Sequence, residues 1–229
     1  MLEIYALRLP DHVPNFHSIL GTISPRKKEK ITSFRNLQDS YRSLLSEILT
    51  RTYIQKYLQL KDKNISFSYN EFGKPYIENV PFYFNTSHSG DWVVGIFGND
   101  EVGIDIEKIK EIDFDIARHF FSTNECQDLE QKNQHDKLYY FYDLWTLKES
   151  FIKNIGTGLS FSLNSFTVQK REGTITISHP LQGTSVYFKQ YELDEFHILS
   201  ACARTKDFPQ AIQIIEAADL LQDYAISII

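Results

Sequence analysis

The chain has 229 residues, 42% of them hydrophobic and 24% charged, with 24 Lys+Arg against 30 Asp+Glu and a net charge of −6. This composition excludes a disordered, collagenous or coiled-coil chain, and the length suits one large domain or two of ~100 residues. The acidic balance argues against a dedicated nucleic-acid coat.

Taken in chain order, Ile4–Leu9 reads as a strand and the N-terminus lacks the basic and long apolar regions of a signal peptide. Ser24-Pro25 opens a short basic helix, with Ser as N-cap and Pro in the first helical position. Asp39 is expected to cap the next helix, whose Leu44, Leu45, Ile48, Leu49, Ile54 and Leu58 keep a helical stripe. The texture then changes. Asn64–Tyr69, Phe82–Thr86, Trp92–Phe97 and Glu101–Glu107 read as strands, the third far too short to span a bilayer. Ser122-Thr-Asn-Glu125 matches a capping box. Lys137–Asn154 reads as a longer helix stopped by Gly156 and Gly158, followed by strands near Ser165–Lys170, Thr174–Ser178, Ser185–Tyr191 and His197–Ala203. Glu216–Tyr224 closes the chain as a short helix. The expected fold class is α+β, with two similar subdomains (1–100 and 101–229), each a mostly antiparallel sheet packed with helices, and a site in the cleft between them.

Four features carry chemistry. In Val102-Gly-Ile-Asp-Ile-Glu107, strand alternation puts Asp105 and Glu107 on one face, about 7 Å apart. Two such carboxylates repel unless a cation lies between them, and oxygen-only donors favour Mg²⁺ or Mn²⁺. A solvated acidic strand face is the plain alternative. In Trp145-Thr-Leu-Lys-Glu-Ser-Phe-Ile-Lys153, Glu149 shares a helix face with Lys153. The pair is either a surface ion pair or a third metal ligand or general base beside a phosphate-binding lysine. Asn85-Thr-Ser-His-Ser-Gly90 offers hydroxyl, imidazole and backbone donors to an anion, or is simply a capped turn. Residues 24–42 hold six Lys/Arg and two acids, a local balance of +4 in an acidic chain. Gly73-Lys74-Pro75 adds a lysine in a rigid turn. Carboxylates for a divalent ion plus cations for phosphates are what phosphoryl chemistry needs. A metal-dependent phosphodiesterase or nuclease uses similar parts. Cys126 and Cys202 form no CxxC, so a zinc site is not expected and a reducing, cytoplasmic setting is.

The ordered set Gly73-Lys-Pro75, Asn85-x-Ser-His-Ser-Gly90, Val102-Gly-Ile-Asp-Ile-Glu107, Phe120-Phe-Ser-x-x-Glu125 and Trp145-x-x-Lys-Glu-Ser-x-x-Lys153 resembles the Sfp-type 4′-phosphopantetheinyl transferases over nearly the whole chain. The resemblance implies transfer of the 4′-phosphopantetheine arm of coenzyme A to a serine hydroxyl of an acyl or peptidyl carrier protein, releasing 3′,5′-ADP. It implies Mg²⁺ on Asp105, Glu107 and Glu149, with Glu149 and Lys153 catalytic. Lys153 would contact the pyrophosphate, with Lys148 beside it. Lys27, Lys30, Arg42, Ser87 and His88 would hold the nucleotide end, and Lys74 and Pro75 would line the adenine pocket. The general base is left open between Glu149 and a metal-bound water. Ile112, Phe114 and Ile116 would either anchor the carrier or close a core. No nucleic-acid or membrane partner is expected, and the chain is expected to be a monomer.

Overall fold

The computed structural model describes residues 2–62, 65–171, 173–181, 183 and 185–227. β1 (Leu2–Arg8) leads through α1 (Phe16–Leu20) to α2 (Pro25–Thr32) and α3 (Leu37–Leu58). Ser24 caps α2 as its sequence suggests, accepting from the Lys27 N–H. Asp39 does not cap α3. The cap is Asn36, whose Oδ1 accepts from the Gln38 N–H at 2.9 Å, and Asp39 lies in the first turn, bonded to Arg42. An N-cap must stand outside the helix with extended backbone, and Asn36 does so.

β2 (Ser68–Tyr69) and β3 (Pro75–Tyr76) form a two-residue ribbon, and β4 (Tyr83–Ser89), β5 (Trp92–Gly98) and β6 (Val102–Lys108) follow. The strand expected over Asn64–Tyr69 is thus only Ser68–Tyr69. Asn64 lies outside the described residues, and residues 65–67 have no strand partner. A 3₁₀ turn at Phe114–Ile116 leads into α4 (Ala117–Phe120), then α5 (Thr123–Glu130) and α6 (Gln134–Ile155). Ser122 and Glu125 form the capping box in full, and Gly156 ends α6 at φ +72°. β7 (Thr167–Arg171), β8 (Thr174–Ser178), β9 (Tyr187–Tyr191), β10 (His197–Ala203), β11 (Gln213–Ile215) and α7 (Ala217–Ser227) complete the chain.

One sheet has the order β11-β1-β5-β4, a second β6-β10-β9, and every pairing is antiparallel except β1 with β11. The strand alternation explains how they assemble. Tyr5, Leu7, Val93 and Phe97 turn toward α3 and α7, while Ile4, Ala6, Val94 and Ile96 meet Ile104, Ile106, Leu199 and Ala201 of the second sheet. With both faces covered, β5 is buried throughout, which is why Trp92–Phe97 reads as an unbroken apolar run. α6 lies along the other side of the second sheet, with Thr146 bonded to Ser200 of β10 and Lys153 to Asp105 of β6. Gly103 permits this contact: a Cβ there would stand 2.0 Å from the Ser150 carbonyl.

The tail departs from the expected division of the chain. β11 pairs with β1, and Leu220 and Tyr224 of α7 enter the core around α3, so residues 213–227 pack with the first half. Long-range pairing of this kind leaves no local sequence signal. No helix among the described residues is long and apolar enough to cross a membrane.

Candidate active site

β4 runs beside β6 and the two are joined by side chains. Asn85 Oδ1 accepts from the Ile104 N–H at 2.9 Å, Ser87 Oγ donates to Asp105 Oδ1 at 2.9 Å, and Ser89 Oγ donates to Glu107 Oε2 at 2.9 Å while accepting from the Lys108 N–H. Residues 85, 87 and 89 share one strand face, so alternation makes this seam. The other face carries Thr86 and His88. Thr86 lines a cavity of about 300 Å³ with Arg26, Lys27 and Lys30.

Asp105 and Glu107 lie on the β6 face that meets α6. Lys153 reaches across from α6, its Nζ 2.6 Å from Asp105 Oδ1 and 2.9 Å from Ser87 Oγ. It therefore pairs with Asp105 and not with Glu149, four residues earlier on its own helix. Asp105 Oδ2 is buried and has no hydrogen-bond partner among the described residues. Burial pushes the Asp105 carboxyl up, opposed by Lys153 and Ser87. Burial and then Asp105 push Glu107 up. Burial, then Asp105, push Glu149 up to about 7, against the pull of Lys153. The three carboxylates thus feel one another, and each is less acidic than in water. Among the described residues no three His, Cys, Asp or Glu side chains converge on one point as they stand. Lys153 holds Asp105 Oδ1 and Ser89 holds Glu107 Oε2, which turns those oxygens toward protein donors.

A second cavity, about 260 Å³, lies against Glu149 and Lys153, and it shares Gly73, Pro75 and Asn85 with the first. The two form one groove running from Lys27 and Lys30, past Pro75, to Glu149 and Lys153. A larger concavity of about 800 Å³ lies elsewhere, but its Asp143, Lys170 and Gln190 are bonded to one another.

The expected site residues divide. Lys27, Lys30, Pro75, Glu149 and Lys153 line the groove, and Ser87, Asp105 and Glu107 stand at the seam beneath Lys153. Lys27 is lowered by burial, with Glu47 at 3.7 Å opposing the shift. Burial, then the charges of Lys153, Arg42 and Lys27, lower His88 to about 4, so its imidazole is neutral near pH 7. Arg42 adds to this positive field, but its guanidinium is committed to the Gly90 carbonyl at 2.7 Å and to Asp39 at 2.6 Å. One lysine differs from expectation. Lys148 is fully buried and bonded to Glu125 and the Phe166 carbonyl, in the core under α6 and not beside Lys153. Five helical positions separate the two lysines, about 140° of rotation, enough to put them on different faces. Lys74 does line the groove, but its ammonium donates to the Val102, Lys153 and Asn154 carbonyls, and burial lowers it to about 8. Sequence reasoning missed Tyr69, which lines the cationic cavity with the Arg26 guanidinium 4.0 Å above its ring, and Glu47, which steadies Lys27. It also missed the seam made by Asn85 and Ser89, although their spacing with Ser87 was open to an alternation argument.

Residues 101–228 match the model of the 4′-phosphopantetheinyl transferase superfamily, and residues 11–97 match the 4′-phosphopantetheinyl transferase N-terminal model. The chain is 43% identical over 204 residues to 4′-phosphopantetheinyl transferase Sfp of Bacillus subtilis strain 168, covering 88% of this chain and 91% of that one. It is 42% identical over 205 residues to 4′-phosphopantetheinyl transferase ffp of Bacillus subtilis, covering 89% and 92%. The chain belongs to the 4′-phosphopantetheinyl transferase superfamily. A third relative is the transferase gsp of Aneurinibacillus migulanus, 38% identical over 205 residues and covering 89% of this chain and 86% of that one. This transferase is accordingly a group-transfer enzyme, moving the phosphopantetheine arm of coenzyme A to a serine hydroxyl of a carrier protein.

Proposed function

We propose that coenzyme A lies along the groove, its adenosine end in the first half of the chain and its pyrophosphate against the second. The continuity of the cationic cavity with the one beside Lys153 and Glu149 carries this reading. Lys27 and Lys30 hold the nucleotide phosphates, Ser87 and His88 border them, and Arg42 contributes charge at a distance. Neutral His88 serves as a hydrogen-bond partner within that field, and Pro75 flanks the adenine. Lys153 leaves Asp105 to take the pyrophosphate as its counter-ion, which releases Asp105 Oδ1.

The donor set fits a hard divalent cation, Mg²⁺ or Mn²⁺. All three side chains offer oxygen, they destabilise one another's charge, and Asp105 Oδ2 is buried without a partner. Asp105, Glu107 and Glu149 would hold the ion, which when bound supplies positive charge to the pyrophosphate oxygens. Glu149, which lines the groove beside Lys153, is the carboxylate placed to take the proton of the carrier serine. The serine oxygen attacks the β-phosphorus, and 3′,5′-ADP leaves.

For the carrier, Ile116 is the supported anchor, since it is 42% exposed whereas Ile112 and Phe114 pack against the core around α6. Two unpaired thiols, Cys126 and Cys202, are in keeping with a cytoplasmic enzyme. Both walls of the groove come from one chain, which supports a monomer. The acceptors on this reading are acyl or peptidyl carrier domains. The test is to incubate the protein with coenzyme A, Mg²⁺ and an apo carrier and weigh the carrier. A gain of one phosphopantetheine is expected. An unchanged carrier, with a nucleic acid or phosphodiester cleaved instead, would overturn the reading.

A further inference from the structure

The residues between β2 and β3 form a turn that is stiff before it touches anything else. The Asn70 N–H donates to the Lys74 carbonyl at 3.0 Å and the Gly73 N–H to the Asn70 carbonyl at 2.9 Å. Asn70 Oδ1 accepts from the N–H groups of Phe72 and Lys74, and Gly73 takes φ +86°, open to glycine at little cost. This turn is then fastened to the end of α6. Asn70 Nδ2 donates to the Gly156 carbonyl at 2.8 Å. Lys74 Nζ donates to the Lys153 carbonyl at 2.6 Å, the Asn154 carbonyl at 3.0 Å and, on β6, the Val102 carbonyl at 3.2 Å.

The last carbonyls of a helix have no partner within it, and positive charge is favoured there. Lys74 supplies both a donor and a charge from a distant part of the chain. The groove beside Lys153 has two walls, Gly73–Pro75 on one side and Glu149, Lys153 and Gly156 on the other. These are the parts that Lys74 and Asn70 tie together. The three hydrogen bonds of the Lys74 ammonium all go to backbone carbonyls, so it is already committed.

We propose that Lys74 is a positioning residue: its ammonium caps α6 and fixes where Lys153 and Glu149 stand, instead of holding coenzyme A itself. This rests on the coenzyme A reading above. A misplacement of about 1 Å at a reacting group can cost on the order of 100-fold in rate, so the effect of losing the cap falls on the chemical step.

The test compares Lys74→Met with wild type by transfer kinetics and by calorimetric binding of 3′,5′-ADP, which carries the nucleotide end of coenzyme A without the arm. Lys74→Met is expected to lower kcat at saturating coenzyme A by about 10- to 100-fold and to leave 3′,5′-ADP affinity within about 3-fold. Equal losses of affinity for coenzyme A and 3′,5′-ADP with kcat unchanged, the signature of uniform binding, would put the ammonium on the nucleotide and overturn the proposal. So would an unaltered variant. If Lys74→Met does not melt cooperatively, Asn70→Asp decides. It keeps the Oδ acceptor within the turn but loses the donation to Gly156, and Asn70 does not line either groove cavity. The same pattern is expected in milder form, and normal kcat would count against the proposal. Wild-type protein that transfers nothing would remove the coenzyme A reading itself, a result no Lys74 variant can imitate.

Discussion

Lys153 Nζ stands 2.6 Å from Asp105 Oδ1, joining a helix to a strand across 48 residues of sequence. The Asp105 side chain is nearly buried, so the pair neutralises a carboxylate that water no longer stabilises. Removing one partner of such a pair leaves an uncompensated charge. Lys153→Met is expected to destabilise the metal-free protein at pH 8 by roughly 2–4 kcal/mol and to abolish most transfer. The double variant with Asp105→Asn should recover much of the stability and none of the activity. Urea unfolding of the two single variants and the double variant checks this, and independent, additive losses would show that the two side chains do not interact.

The raised Glu149 pKa has a defined consequence for stability. Its folded value, about 7, lies above the unfolded value of 4.5, so the native state holds this proton longer. Between those values the native state binds more protons than the unfolded one, and stability falls as pH rises from about 4.5 to 7. Glu149→Gln removes that dependence. It is expected to be more stable than wild type at pH 8 by on the order of 1–3 kcal/mol, with the advantage gone below pH 4.5. Thermal melts of metal-free protein across that range read the effect directly.

How the site is assembled also shows what a sequence can carry. Caps were legible because they are local: Ser24-Pro25, Ser122-x-x-Glu125 and Gly156 each sit where the chain implies. The pairing of Asp105 and Glu107 on one face followed from strand alternation. The cap of α3 did not: the sequence reading points to Asp39, whereas Asn36, three residues earlier, stands outside the helix with extended backbone and caps it. The short helices α1 and α4 escaped notice because burial of Leu20 and Ala117, and not an extended stripe, holds them. The partners of Lys74 were invisible for a different reason. They are main-chain carbonyls at 102, 153 and 154, and a carbonyl has no residue signature.

His88 is a reporter of the nucleotide end. Burial and the cations Lys153, Arg42 and Lys27 hold it down to about 4. A dianionic phosphate bound among the same cations offsets their charge, so the imidazole pKa should rise on binding 3′,5′-ADP. Imidazole ¹⁵N shifts followed against pH are expected to move the midpoint upward by about 1 unit or more, the size expected from a nearby opposite charge. The 3′-dephospho ligand should move it less. An unmoved midpoint would separate His88 from the phosphate.

Gly103 sets the approach of α6 to β6. The Cβ of Gly103→Ala would lie 2.0 Å from the Ser150 carbonyl and 2.4 Å from the Asn154 nitrogen, both main-chain atoms that cannot rotate away. The helix must shift, carrying Glu149 and Lys153 with it. Overpacking of this kind costs about 1–3 kcal/mol or more, and transfer should fall about 100-fold in whatever fraction remains folded. Circular dichroism melts and the carrier assay on the same sample separate the two losses.

The gathering of Asp105, Glu107 and Glu149 around one divalent ion is tested most directly by locating Mn²⁺ through its anomalous scattering in crystals grown with coenzyme A. A single peak within about 2.1–2.3 Å of oxygens from all three side chains, with Lys153 turned from Asp105 onto the pyrophosphate, is the expected result. A peak held by other residues, or Lys153 still seated on Asp105 with coenzyme A bound, would contradict it.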